Sequence, residues 1–271
     1  MNNKRKIKKY YLLIILGIAI VLRLWKLGSI PPSLTSDEAS LGYNAYSILK
    51  TGRDEYGQFL PIIFKSFGDY KPGLYVYATI PSVAIFGLNE FAVRLPSAVA
   101  GIVAVWMVYK IILEFLLLQK NQSPITNHQS LASVSAALLA ISPWHILFSR
   151  GAWEANVSLT LTLTGIYFFL RSLKKSKFLI LTSIFFSLTI LTYQGAKLST
   201  TIVVLVLIIT YWKEVKFLLS TKSHLASPLL IGLIITSPIL FSLVSGQTGR
   251  LNVFSVFSYP RPKEYLQTFL F

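Results

Sequence analysis

Long apolar runs separated by short polar stretches make up most of this chain. Seven of them, at roughly 10–28, 93–118, 130–148, 156–171, 177–193, 198–212 and 226–244, are long enough to predict helices that cross a bilayer. An eighth, 73–87, is shorter and contains Pro81, so it predicts a re-entrant or interfacial helix. The fold class expected is therefore all-α and polytopic. It has about seven transmembrane helices and a first outer loop, about 29–92, that carries interfacial helices of its own. Leu41, Ala45, Ile48 and Leu49 recur at helical spacing and predict one of these. The aromatics Tyr75, Tyr77 and Phe86 suit the headgroup zone for another.

Composition sharpens this picture. Charged residues make up 13% of the 271-residue chain and hydrophobic ones 54%, against about 25% charged in soluble domains; the mean hydropathy is +0.60. The net charge of +16 sits in clumps between apolar runs, as the positive-inside rule produces, and no polar domain is left to hold nucleic acid. The N-terminal cluster Lys4–Lys9 resembles the start of a signal peptide, but Arg23-Leu24-Trp25-Lys26 follows as an aromatic and basic interface anchor, giving an uncleaved first span. If 73–87 does not cross, the N-terminal cluster, the 119–129 loop with Lys120, the Arg171–Lys177 loop and the loop of Lys213, Lys216 and Lys222 share one side. This predicts a multi-pass plasma-membrane protein with a cytoplasmic N-terminus.

With no cysteine, disulfides and thiol chemistry are excluded. His128, His145 and His224 fit no metal-ligand spacing and are read as loop or helix-end residues. No P-loop, dinucleotide fingerprint or serine-hydrolase elbow occurs.

The ten acidic residues can be weighed one by one. Thr35-Ser36-Asp37-Glu38 reads as a capping box at a helix start, which accounts for Glu38 and leaves Asp37 as a candidate general base beside the bilayer. Glu154, at the start of a span, is a functional candidate because a carboxylate at membrane depth is costly; an Arg150–Glu154 helix-end pair is the structural alternative. Lys71, after Asp69-Tyr70, is placed to meet a lipid phosphate. Lys71, Arg94, Arg150 and Lys197 together could form an anion site on the outer side.

These residues carry a resemblance. Asp37-Glu38, Lys71-Pro72-Gly73-Leu74-Tyr75, the run Phe86–Ser97, and Ser149-Arg150 with Glu154 resemble, in this order, the bacterial branch of the protein mannosyltransferase family. More broadly they resemble the polytopic glycosyltransferases that use polyprenyl-phosphate sugars, aminoarabinose transferases of lipid A included. The resemblance implies a GT-C-like module spanning 1–271, transferring a sugar from a polyprenyl-phosphate donor to a lipid, glycan or protein acceptor with inversion. It implies Asp37 as base, Glu38 in support, Glu154 as the second acidic position, and Lys71 at the lipid phosphate, with Tyr70, Arg94, Arg150 and Lys197 as further substrate-binding residues. Some relatives hold a divalent metal near the acidic residues. Relatives are about twice as long, so the chain, ending in Phe269-Leu270-Phe271, corresponds to their N-terminal catalytic module. Where relatives read Lys-Pro-Pro, this chain has Gly73, and Tyr70 stands where aminoarabinose transferases carry an acidic residue. A lipid-linked glycan flippase and a non-catalytic membrane protein are the competing classes; a flippase calls for charges near mid-membrane and broken helices.

Overall fold

The computed structural model describes residues 2–66, 69–118, 128–220 and 226–244. In chain order it runs through α1 (Asn2–Leu24), α2 (Ser36–Thr51), the strands β1 (Ile63–Ser66) and β2 (Asp69–Pro72), then α3 (Leu74–Phe86), α4 (Glu90–Leu118), α5 (His128–Ile141) and α6 (Pro143–Arg150). After these come α7 (Glu154–Ser172), α8 (Leu179–Ile190), α9 (Ala196–Thr210), α10 (Trp212–Ser220) and α11 (Ala226–Val244). Every apolar segment read from the sequence is helical. The predicted basic residues Lys120 and Lys222, His224 and the run 269–271 lie outside the described residues.

By length and composition one helix, α4, with 29 residues and a hydropathy of 2.1, qualifies to cross a membrane; α5 and α6 qualify together as one span bent by 58°. The other apolar helices are shorter, or, like α7, too polar along one side. The polarity of α7 faces inward: Asn156 Nδ2 donates to the Ser97 carbonyl at 2.8 Å, and Thr160 Oγ1 to the Ala100 carbonyl at 2.9 Å. Gly101 of α4 lets α6 and α1 approach closely, a Cβ there meeting Ser149 and Arg23.

The break between α5 and α6 follows from Pro143, which has no N–H to continue the ladder. The carbonyls left at the end of α5 are taken by Arg23 of α1, through Nη1 to Ala140 (3.0 Å) and Nη2 to Leu139 (3.2 Å). Nη2 also meets His145 Nδ1 at 2.7 Å. Both side chains are fully buried. This corrects one reading: Arg23 is a buried helix cap instead of an interface anchor. His145, in the first turn of α6, is a helix-end residue and the buried partner of Arg23. His128 does open a helix. Arg150 repeats the device at the end of α1, donating to the carbonyls of Leu22 (2.9 Å), Trp25 (2.7 Å) and Ile30 (2.8 Å). A cation at a helix C-terminus is stabilised by both the free carbonyls and the helix dipole.

The segment between α1 and α4 is packed, not loose. Leu41, Ala45 and Ile48 of α2 are buried with Phe64, Tyr75, Val76, Val83, Ala92 and Val93. Leu49, predicted to share that face, is 38% exposed. Tyr75, predicted for the headgroup zone, is fully buried with its hydroxyl on the Val93 carbonyl at 2.9 Å. α3 spans 13 residues, or about 20 Å at 1.5 Å per residue, short of a ~30 Å hydrocarbon core. The strands pair antiparallel, with Phe64 opposite Lys71 and Lys65 opposite Tyr70. This hairpin is absent from the all-α expectation because four-residue strands show too little alternation to register.

Candidate active site

α2 begins as the Thr35-x-x-Glu38 pattern predicts. Glu38 N donates to Thr35 Oγ1 at 3.3 Å, and Thr35 N to Glu38 Oε2 at 2.9 Å. The Glu38 carboxylate does more than cap. Its Oε1 also accepts from Arg94 Nε (3.0 Å) and from Ala152 N (2.9 Å), in the turn between α6 and α7. Arg94 turns its remaining donors to Glu38 Oε2 and to the carbonyls of Leu27, Pro31 and Ser33. All five guanidinium N–H groups are thereby used. Glu38 is 4% and Arg94 0% exposed, so this pair is a buried knot joining the α1–α2 linker, α2, α4 and the α6–α7 turn.

Burial alone would raise the Glu38 pKa. The hydrogen bonds from Arg94, Thr35 and Ala152 and the Arg94 charge outweigh it and hold the carboxyl below its ordinary value. The linkage sign follows. Stability from Glu38 is fully present above the ordinary value of 4.5 and is lost as pH falls through the lower folded value. Thermal unfolding followed from pH 7 downward is expected to show an acid-side loss of stability that Glu38→Gln makes smaller.

One residue earlier on the helix, Asp37 points elsewhere. It is 53% exposed on its side chain and receives Lys71 Nζ at 2.6 Å, with Lys71 itself 14% exposed. β2 holds Lys71 in place. The Gln194 side chain donates to the Tyr70 carbonyl, and Leu74 N to the Leu191 carbonyl at 3.1 Å, so the α8–α9 turn clamps both ends of the Lys71 segment. Gly73 explains its departure from Lys-Pro-Pro. Its N–H donates to the Ile62 carbonyl at 2.9 Å, and a Cβ there would meet the Phe64 ring at 2.1 Å.

Glu154 is the first residue of α7. Tyr75 lies within electrostatic reach of both Glu38 and Glu154: burial pushes its hydroxyl pKa well above the usual value, and the two carboxylates push it the same way. Lys197 lies in the first turn of α9, beside the turn that clamps β2. The four-residue anion site expected from the sequence is not what assembles. Arg94 and Arg150 are committed to carbonyls and, for Arg94, to Glu38, because helix ends and a bent linker leave those carbonyls without other partners. The structure brings together Asp37 and Lys71; Tyr70, next to Lys71 on β2, projects to the other side of the hairpin. Sequence reasoning missed Gln194 and the fully buried Tyr75; a glutamine in a turn carries no signal of its contact.

Around the knot, a cavity of about 210 Å³ is lined by Pro32, Thr35, Glu38, Phe148 and Trp153. Exposed Trp25, Trp144 and Trp153 (66%, 58% and 40%) lie at the same helix ends, as aromatic residues do at a membrane–water interface. Among the described residues no group of three or more His, Cys, Asp or Glu side chains converges, and Glu38 is already saturated. The arrangement does not fit a protein-held metal, and no step is routed through one.

The site is thus a carboxylate held against a lysine on the segment between α1 and α4, beside a long apolar helix. The sequence profile of the dolichyl-phosphate-mannose-protein mannosyltransferase family matches residues 71–241, more than half of the chain, and the protein belongs to that family. Its fold is that of ArnT from Cupriavidus metallidurans. The apo crystal structure superposes with a TM-score of 0.64 at 15% identity, covering 94% of this chain and 45% of that one. The structure bound to undecaprenyl phosphate gives 0.60 at 15% identity, covering 96% and 44%. The chain thus spans less than half the length of that relative. No curated protein sequence matches it.

Proposed function

We propose that this chain transfers a sugar from a polyprenyl-phosphate-linked donor to a lipid, glycan or protein acceptor on the outer face of the plasma membrane. The observation that carries the proposal is the 2.6 Å pair of an exposed Asp37 with Lys71, in a family named for a lipid-phosphate sugar donor and a fold shared with a protein crystallised with undecaprenyl phosphate. In the resting protein Lys71 neutralises Asp37. When the donor phosphate arrives, Lys71 turns to it and leaves the carboxylate free as a base. The acceptor hydroxyl oxygen forms a bond to the anomeric carbon from the face opposite the phosphate, and its proton passes to Asp37. The anomeric C–O bond breaks, and its electron pair leaves with the polyprenyl phosphate. Lys71 offsets the charge gained there, with Lys197 from α9 as a second cation. The configuration inverts.

In this reading Glu38 and Arg94 are positioning residues that fix the start of α2, and Arg150 fixes the end of α1. Glu154 supplies the second negative charge of the site. Seven crossings with a cytoplasmic N-terminus place α2, the hairpin and α3 outside. A flippase would use charge buried in broken helices, and the chain has both, but Arg23 is occupied capping α5 at that break.

Binding of undecaprenyl phosphate to the purified protein tests the lysine. Lys71→Gln is expected to weaken it at least tenfold, the loss of one charge-assisted contact of roughly 1.5–3 kcal/mol, with binding of the uncharged polyprenol unchanged. Equal affinity of both proteins for the phosphate would remove Lys71 from the donor site.

A further inference from the structure

The hairpin has a second face. Successive strand residues point to opposite sides, so while Lys71 meets Asp37, Tyr70 and its cross-strand partner Lys65 face away. They face a cavity of about 430 Å³, also lined by Asp54, Tyr56 and Gln58 on the preceding loop and by Phe241 of α11.

This wall is built, not incidental. Asp54 is 5% exposed, and its Oδ1 accepts from Tyr56 N (3.0 Å) and Gln58 N (2.8 Å). Arg53 Nη1 closes the turn on the Gly57 carbonyl at 2.7 Å. Leu60, also lining the cavity, holds φ +42, a strained value for a bulky residue of the kind found where a site needs it. The loop is thus fixed before any ligand arrives, which lowers the ordering cost of binding.

The lining chemistry narrows the ligand. Lys65 Nζ stands 5.2 Å from the centre of the Tyr56 ring, and with Asp54 in the same wall the two charges offset, which disfavours a phosphate. The Gln58 carboxamide and the Tyr56 and Tyr70 hydroxyls add donors and acceptors of both kinds, and none of the three has a protein hydrogen bond among the described residues. Polar groups of both signs beside aromatic rings, in a volume typical of small-ligand sites, suit a neutral ring bearing several hydroxyls. We infer that this cavity is a subsite for a neutral saccharide unit of the acceptor, held across the hairpin from the reacting pair. The inference rests on the glycosyltransferase reading above and makes the acceptor a glycan.

Saturation-transfer NMR on the full chain in phospholipid nanodiscs tests it, with a mannose disaccharide as probe and inorganic phosphate as comparison. The wild-type protein and Asp37→Asn are both expected to give a signal to the disaccharide and none to phosphate. Tyr56→Ala and Gln58→Ala are each expected to weaken the disaccharide about tenfold. Among the described residues neither side chain makes a hydrogen bond within the protein, so folding is expected to be retained, and unchanged thermal midpoints check this. A phosphate signal alone, no disaccharide signal in wild type, or one unaltered in both variants would overturn the subsite and leave the transferase reading intact. That reading fails separately, if the wild-type protein in reconstituted membranes transfers no sugar from a polyprenyl-phosphate donor.

Discussion

Asp37→Asn is expected to lower kcat for sugar transfer by about a thousandfold, within the 10²–10⁴ that a positioned general base contributes, while donor binding changes little. The amide keeps the size of the side chain and can still accept from Lys71, but it cannot take the acceptor proton. At 53% exposure the position contributes little to packing, so the variant is expected to insert and fold as the wild type does. Rates in reconstituted membranes, beside a thermal unfolding curve for each protein, separate chemistry from stability. A variant with normal transfer would assign the base elsewhere.

The second large effect is on folding. Arg94→Ala is expected to destabilise the protein by ~3–5 kcal/mol, the usual cost of leaving one member of a buried ion pair alone. It strands the Glu38 carboxylate and the carbonyls of Leu27, Pro31 and Ser33 at once. Arg94→Lys is expected to recover only part of this, because an ammonium cannot reproduce the five-donor fork. Glu38→Gln is expected to cost less, since the one amide oxygen still accepts and the carbonyls of Leu27, Pro31 and Ser33 keep their Arg94 donors. Thermal midpoints in one detergent, read in the order wild type, Glu38→Gln, Arg94→Lys, Arg94→Ala, check the ranking. If Arg94→Ala unfolds with the wild type, the knot does not hold this segment together.

These two predictions mark what could be read from the chain alone. The Asp37-Glu38 start was legible because a capping box is a local pattern, and Thr35 and Glu38 bond as that pattern requires. The helices were legible for the same reason: the run 156–171 is the helix Glu154–Ser172. The fates of Arg23, Arg94 and Arg150 were not. Arg23 reads as an interface anchor and Arg94 and Arg150 as members of an anion site, while their true partners include carbonyls freed elsewhere, by the Pro143 break, the Pro31-Pro32 linker and the end of α1. The pairing of Asp37 with Lys71 is likewise non-local, reached only when α2 and β2 pack on α3 and α4.

The reaction centre is proposed to open on the face opposite the basic loops, and the chain's lack of cysteine makes that directly measurable. Single cysteines at Ser36, Trp153, Tyr193 and Lys175, all exposed, would be treated in intact cells with an impermeant thiol reagent. Labelling at 36, 153 and 193 with none at 175 is the predicted result. Labelling at 36 and 193 from opposite sides would contradict it, since the turn that clamps Lys71 could not then share a site with Asp37.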